Sequence, residues 1–336
     1  MTTLYITEPG SMVNLDGGRI LVKRGGEVVT SAFLEKLENI VLVGSVGVTS
    51  PSMIEFLKRE IPLTWVSPIG RVFGRLEPTT LINIERQREQ FCQAEDETFS
   101  SELSRRFITA KVHNSRILLS RWNRERQLDS VSKVIEDLKD CEKITSTENN
   151  PESLLGYEGH AASIYFEALG QIVPEEFEFK KRTRQPPLDP FNSMLSLSYT
   201  LLMYECYTAI TSKGLHPYMG FLHKIRRGHP ALASDLMEEW RSIICDAIVM
   251  DLVSHRQVRP DDFELPEPET GGIYCKGEVL KKVITAFERK LKVINSYLAY
   301  VDYPLSFRES LQFQVGSLVK AIESGDPEIY RPIMIK

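Results

Sequence analysis

"RVFGRLEPTTLINIERQREQFCQ", residues 71 to 93, contains the point at which the pattern of the chain changes. "RVFGRL" is short and rich in strand-forming residues, and "LEPTTL" (76–81) breaks it with a proline and two threonines. From Ile82 the apolar residues recur near every 3.6 positions with a polar side between them, the pattern of a surface helix. Working back from this stretch, "LYITEP", "SMVNLDGG", "RILVKRGG", "NIVLVGS" and "PLTWVSP" are further short β-branched runs bounded by Gly, Pro and Asp. Asp16-Gly17-Gly18 and Arg24-Gly25-Gly26 have the composition of hairpin turns. One helix interrupts the strands, "SPSMIEFLKRE" (50–60), with Ser50 expected as N-cap and Pro51 at the first helical position.

Working forward, "INIERQREQFCQAEDETFSSELSRRFITAKVHNSRILLSRWNRERQ" (82–127) reads as one long helical run, and "ITSTENNPES" (144–153) as a break before the next helix. The expectation is an α+β multidomain chain. A small β-sandwich-like N-terminal domain (1–78) of strands with one short helix precedes a larger, mostly α-helical domain (79–336).

A chain of 336 residues with 42% hydrophobic and 26% charged content has the composition of a soluble protein able to bury a large core. Its net charge of −5 argues against a uniformly basic nucleic-acid binder, so any DNA contact must come from local basic clusters. The five cysteines are scattered without a CxxC pair, which fits a reducing cytoplasm and gives no structural zinc site. Met1-Thr2-Thr3 does not begin a secretion signal, and the uncharged run Phe191–Tyr204 is too short and too rich in Ser and Thr to span a bilayer. A cytoplasmic protein with no membrane partner is expected.

Three polar groups interrupt this pattern. In "GYEGHAASIYFEALG" (156–170) and just before it, Leu154, Ala161, Ala162, Tyr165, Phe166 and Leu169 form a helical stripe, and Glu158 falls on it between two glycines. A carboxylate facing a core must be neutral, paired or bound to a metal. The glycines suggest that the backbone of this helix is closely approached. In "GLHPYMGFLHKIRRGHPALASDLMEEWR" (214–241), three of the six histidines, His216, His223 and His229, lie close together. After Pro230, Leu232, Leu236, Trp240 and Ile243 make an apolar stripe, with Asp235 and Glu239 flanking it and Glu238 pointing further away. Taken singly, these acids read as a solvated acidic face. Carboxylate, imidazole and carboxylate together form a ligand set for Mg²⁺ or Mn²⁺ and favour metal-dependent phosphoryl chemistry.

The ordered motifs "LYITEPG", "NIVLVGSVGVTS", "LLGYEGHAASIYF", "RQPPLDPFNSMLSLSYTLL", "GLHPYMGFLH", "ALASDLMEEWR" and "GGIYCKGEVLKKVITAFERKL" closely resemble the CRISPR-associated spacer-acquisition integrase family, the metal-dependent endonuclease of CRISPR adaptation. The resemblance implies a metal held by Glu158 of the G-x-E-G motif, His223 closing G-F-L-H, and Glu238 three positions after Asp235. Many members carry Asp at the position of Glu238, and Asp235 is the neighbouring candidate. The implied reaction is attack of a 3′-hydroxyl of a short DNA duplex (the prespacer) on a phosphodiester at the leader-proximal CRISPR repeat. The implied partners are a second copy of the chain, through the β domain, and a small ferredoxin-like second adaptation protein. Basic runs suited to DNA phosphates are "KKRTR" (Lys180, Lys181, Arg182, Arg184) and "KIRR" (Lys224, Arg226, Arg227). A third is the helical series Arg105, Arg106, Lys111, Arg116, Arg121, Arg124 and Arg126. "SGDPEIYRPIMIK" (324–336) reads either as a tail docking on a neighbour or as a disordered end. Two rival functions are a stand-alone metal-dependent nuclease acting on branched or single-stranded DNA in repair, and an inactive DNA-binding scaffold of an adaptation complex.

Overall fold

Two glycine turns organise the first strands in the computed structural model, which describes residues 3–67, 70–264 and 266–336. Strands β1 (Thr3–Ile6), β2 (Met12–Asp16), β3 (Arg19–Arg24), β4 (Glu27–Phe33), β5 (Asn39–Val43) and β6 (Gly47–Val48) precede helix α1 (Ser50–Lys58), and β7 (Leu63–Val66) and β8 (Val72–Leu76) follow it. Gly17-Gly18 joins β2 to β3 and Gly25-Gly26 joins β3 to β4, each as a two-residue loop with positive φ at Gly17, Gly25 and Gly26.

Among the described residues of this region there are two four-stranded sheets, in the orders β1-β5-β7-β8 and β4-β3-β2-β6. Their facing sides, with Ile6, Ile40, Leu42 and Leu63 from one and Val13, Ile20 and Val22 from the other, share a core with Phe56 of α1. This is the sandwich-like arrangement read from the sequence. β5 is buried on both faces because Val41 and Val43 turn away from that core and join the core of the helical region.

The strand β4 was not among the expected strands. It is an edge strand exposed almost throughout, so no burial alternation marks it in the sequence. The N-cap of α1 is Thr49 rather than Ser50, and Thr49 Oγ1 meets Ser52 Oγ at 2.8 Å.

β8 ends at Leu76, and after one short turn α2 (Ile84–Glu95) begins the helices. The expected single long run is divided at Asp96, whose carboxylate accepts from Phe99 N at 2.9 Å and caps α3 (Glu97–Arg126). Then follow α4 (Asp129–Thr145), α5 (Pro151–Ile172), α6 (Pro190–Ser212), α7 (Ala231–Met237), α8 (Ala247–Ser254), α9 (Gly277–Leu291) and α10 (Phe307–Ser324). The Phe191–Tyr204 run lies in α6, much of it buried in the core, and among the described residues no helix is long and apolar enough to cross a membrane.

The segment after α10 packs against the chain itself. Tyr330, Ile333 and Ile335 are buried in the chain's own core. Asn114 of α3 donates to the Ile333 carbonyl and accepts from Ile335 N, and His113 Nε2 lies 2.8 Å from the Ile335 carbonyl. Of the two readings of this tail, the disordered end gives way to an intramolecular strap across α3.

Candidate metal centre

α5 starts cleanly because Asn150 caps it, accepting from Glu152 N and Ser153 N, with Pro151 in its first turn. Leu154, Ala161, Tyr165 and Leu169 are buried as the stripe requires, and Glu158 is half-buried at its edge. Tyr165 of α5 and Tyr199 of α6 both donate to the buried Asp246 carboxylate, at 2.8 and 2.7 Å, which fixes the rotation of α5. The flanking glycines do not serve close packing. A Cβ on Gly156 or Gly159 would meet nothing within 4 Å, so both lie on the open side of the helix.

The acidic helix departs furthest from its sequence reading. Asp235, Glu238 and Glu239 are all buried, not a solvated face. α7 lasts only to Met237, a tight turn follows (Trp240 N donates to the Met237 carbonyl at 3.0 Å), and Arg241–Asp246 form a π-helical turn. A wheel drawn at 100° per residue therefore fails beyond Met237. Glu238 points into the site, 2.8 Å from Arg241 Nη2, whereas Glu239 points the other way, accepting from Ile333 N, Gln314 and the Tyr330 hydroxyl. Burial pushes the Glu239 carboxyl up to about 8 against the pull of those hydrogen bonds. Burial would raise Glu238 as well, but Arg241 and Lys111 reverse it and hold this carboxyl at about 2.

His223 sits beside Glu238 because Asp235 holds it. Asp235 accepts from the backbone N–H of Phe221, Leu222 and His223, and its Oδ1 meets His223 Nδ1 at 2.7 Å. This leaves Nε2 turned toward Glu238 Oε1, 4.0 Å away. Gly220 makes the cradle possible, since a Cβ there would lie 2.5 Å from Asp235 Oδ2. Burial lowers the His223 pKa, and the Asp235 carboxylate more than offsets this and raises it.

Glu158, His223 and Glu238 thus converge from α5, the loop before α7 and the end of α7, while Asp235 lies behind His223 with both oxygens committed. Lys111 of α3 completes the cluster. Its ammonium contacts Glu158 Oε1 and stands 2.7 Å from Glu238 Oε2. Among the described residues no three His, Cys, Asp or Glu side chains are gathered closely enough to enclose an ion. The donor set nevertheless suits one. Two carboxylates and an imidazole with its second nitrogen anchored are hard-to-borderline ligands.

Of the basic runs, Lys224, Arg226 and Arg227 are exposed on a tight turn directly after His223, closed by a bridge between Arg226 and His229. Lys180, Lys181 and Arg184 are also exposed. The Arg182 guanidinium is held internally by Asn192 and Ser196 and lies 5.2 Å from the centre of the Tyr199 ring. Arg182, Arg184, His229 and Arg241 line one groove of about 620 Å³ next to the cluster. On α3, Arg105 and Arg106 are engaged by Glu102, Arg116 by Glu142, and Arg121 by the Lys336 carbonyl. Lys111 alone of that series enters the site. It falls four residues after Phe107 and three before Asn114, both buried, the same on-stripe signal that marked Glu158.

A profile of the family described as CRISPR associated protein Cas1 matches residues 4–289. The chain belongs to the Cas1 family. The CRISPR-associated endonuclease Cas1 of Mycobacterium tuberculosis is 34% identical over 328 residues, covering 97% of this chain and 96% of its own. The solved Cas6-RT-Cas1–Cas2 complex contains a region superposing on all of this chain (TM-score 0.84, 26% identity), which makes up 36% of that longer polypeptide. A Cas1 protein from Thermotoga maritima shares the fold over 97% of this chain and 98% of its own (TM-score 0.81, 20% identity). As a Cas1 family member the chain is a CRISPR-associated endonuclease, of the kind that acts in spacer acquisition, with the family's two-sheet N-terminal region and helical C-terminal region.

Proposed function

We propose that the cluster of Glu158, His223 and Glu238 is the catalytic centre, holding Mg²⁺ or Mn²⁺, and that it joins a 3′-hydroxyl of a short DNA duplex to a phosphodiester at the leader-proximal CRISPR repeat. The observation that carries this reading is the meeting of two carboxylates and an oriented imidazole from three separate elements beside an exposed basic turn. A divalent ion in such a site polarises a phosphoryl oxygen and stabilises the charge that develops there. The chain supplies the rest. Asp235 fixes the tautomer and aim of His223, and Arg241 keeps Glu238 ionised while buried. Lys224, Arg226 and Arg227 are placed to take the backbone of the target strand, and Lys180, Lys181 and Arg184 that of the incoming duplex. Nicking and strand transfer then differ only in the nucleophile, water or a DNA 3′-hydroxyl.

In this reading the domain boundary lies at 78/79, and the β region pairs two copies. The edge strand β4, with Val28 and Val29 half exposed, supports such pairing. A ferredoxin-like second adaptation protein completes the assembly, as the Cas1–Cas2 composition of the similar complex suggests.

The test is transfer of a labelled short duplex into a supercoiled plasmid bearing leader and repeat, with the purified second protein and Mg²⁺ or Mn²⁺. Joining by wild type and a loss of at least about 10³-fold in Glu158→Ala are expected. Equal joining by both proteins would make Glu158 structural. Intact DNA binding without joining in either would favour the scaffold.

A further inference from the structure

Lys111 stands where the two carboxylates of the candidate centre meet. Its side chain is 14% exposed, it projects from the middle of the 30-residue α3, and its ammonium lies between Glu158 and Glu238. Without it, two carboxylates from different elements would face each other with only Arg241 in compensation, and Arg241 takes only the other oxygen, Glu238 Oε1. An ammonium is all donor and cannot itself ligate a cation. A cation ligated by the same two oxygens would stand against the ammonium at close range, and the repulsion between them opposes holding both there at once.

Resting on the metal reading given above, we propose that Lys111 is a tethered competitor for the divalent ion. It keeps the two carboxylates together and neutralised in the metal-free protein, sets the metal affinity of the site, and is displaced when the ion binds. The charge balance gives this exchange a purpose. Glu158 and Glu238 balance Lys111 and Arg241, and Asp235 faces His223 behind them, so the resting cluster itself adds little to the attraction that the neighbouring Lys224, Arg226 and Arg227 exert on DNA phosphate. Entry of a divalent cation adds two positive charges while both basic side chains remain tethered nearby. The site thus becomes cationic only when loaded, and metal binding precedes productive engagement of the phosphate.

Two measurements test the exchange without relying on activity. Mn²⁺ binding, followed by the electron paramagnetic resonance of the free aquo ion, is compared among wild type, Lys111→Met and Glu158→Ala. Lys111→Met, which keeps the apolar stem, is expected to bind Mn²⁺ about tenfold more tightly or better, the scale of losing one positive charge at close range. An unchanged or weaker affinity overturns the proposal. The second measurement uses wild type alone, so a poorly folding variant cannot block the answer. Acetylation of Lys111, read by peptide mass spectrometry, should be slow in chelator and accelerate with saturating Mn²⁺. An acetylation rate indifferent to bound Mn²⁺ overturns the exchange. Binding by wild type that is lost in Glu158→Ala leaves the metal reading standing when only the Lys111 results fail. No binding by wild type sinks both.

Discussion

Asp235 accepts four N–H groups at once, three from the backbone and one from an imidazole. An asparagine there would turn its own donor against one of those pairs. Asp235→Asn is therefore expected to lose about 2–4 kcal/mol of stability, visible in denaturant unfolding. The same change should lower the His223 pKa, because the carboxylate is what raises it above the ordinary imidazole value against burial. An NMR titration checks this, and an unshifted His223 would show that Asp235 only supports the loop. At this scale the candidate site was legible where a charge fell on an apolar stripe, as Glu158 does. Glu238 was not legible from periodicity, because the helix it was drawn on stops one residue before it. Only the family motifs pointed to it. Lys111 carried the same on-stripe mark as Glu158 but was grouped with the surface arginines around it.

Among the elements, α3 is the spine against which α4, α5 and the strap are set. Glu142 of α4 joins two of these contacts, meeting His113 Nδ1 and Arg116 Nε of α3 at 2.8 Å each. Burial would raise its pKa, but His113 and Arg116 outweigh that and lower it. A carboxyl lowered on folding stabilises above its unfolded value and loses that contribution as pH falls through the folded one. Glu142→Gln should therefore be less stable than wild type by about 1–2 kcal/mol at neutral pH, with the gap closing as the solution becomes more acidic than the ordinary carboxylate range. A gap that persists in acid would place the loss in packing instead.

Elements with a turn or cap of their own were readable in the sequence. The two glycine hairpins and the Asn150-Pro151 start of α5 are examples. β4 was not, because an exposed edge has no burial pattern to display. Nor was the break at Asp96, where a polar cap is embedded in an already polar run.

For the molecule as a whole, a net charge of −5 must be overcome locally if DNA is to bind. Lys224, Arg226 and Arg227 stand exposed beside His223, whereas most of the α3 arginines are engaged within the chain. Replacing Arg226 and Arg227 by alanine should weaken duplex binding and reduce the slope of log affinity against log salt by about two. An unchanged slope would move the DNA path elsewhere. The change from strands to helices at 76–84 was plain in the sequence, since it depends on period alone. How the two regions join was not. β5 serves both cores at once, and Arg308 bridges Glu205 and Glu288 deep in the helices while Thr3 of β1 donates to the same Glu205.

The strap across α3 also sets a timetable. Asn114 is paired with a residue 221 positions later in the chain, and Glu239, next to Glu238, waits for Tyr330 and Ile333. At about 5–20 residues per second, a ribosome needs roughly ten to forty-five seconds to cover that distance. Until then α3 and the turn after α7 lack these contacts from the strap. A growing chain therefore fixes Glu239, the neighbour of Glu238 in the proposed centre, only after Tyr330 and Ile333 have been made.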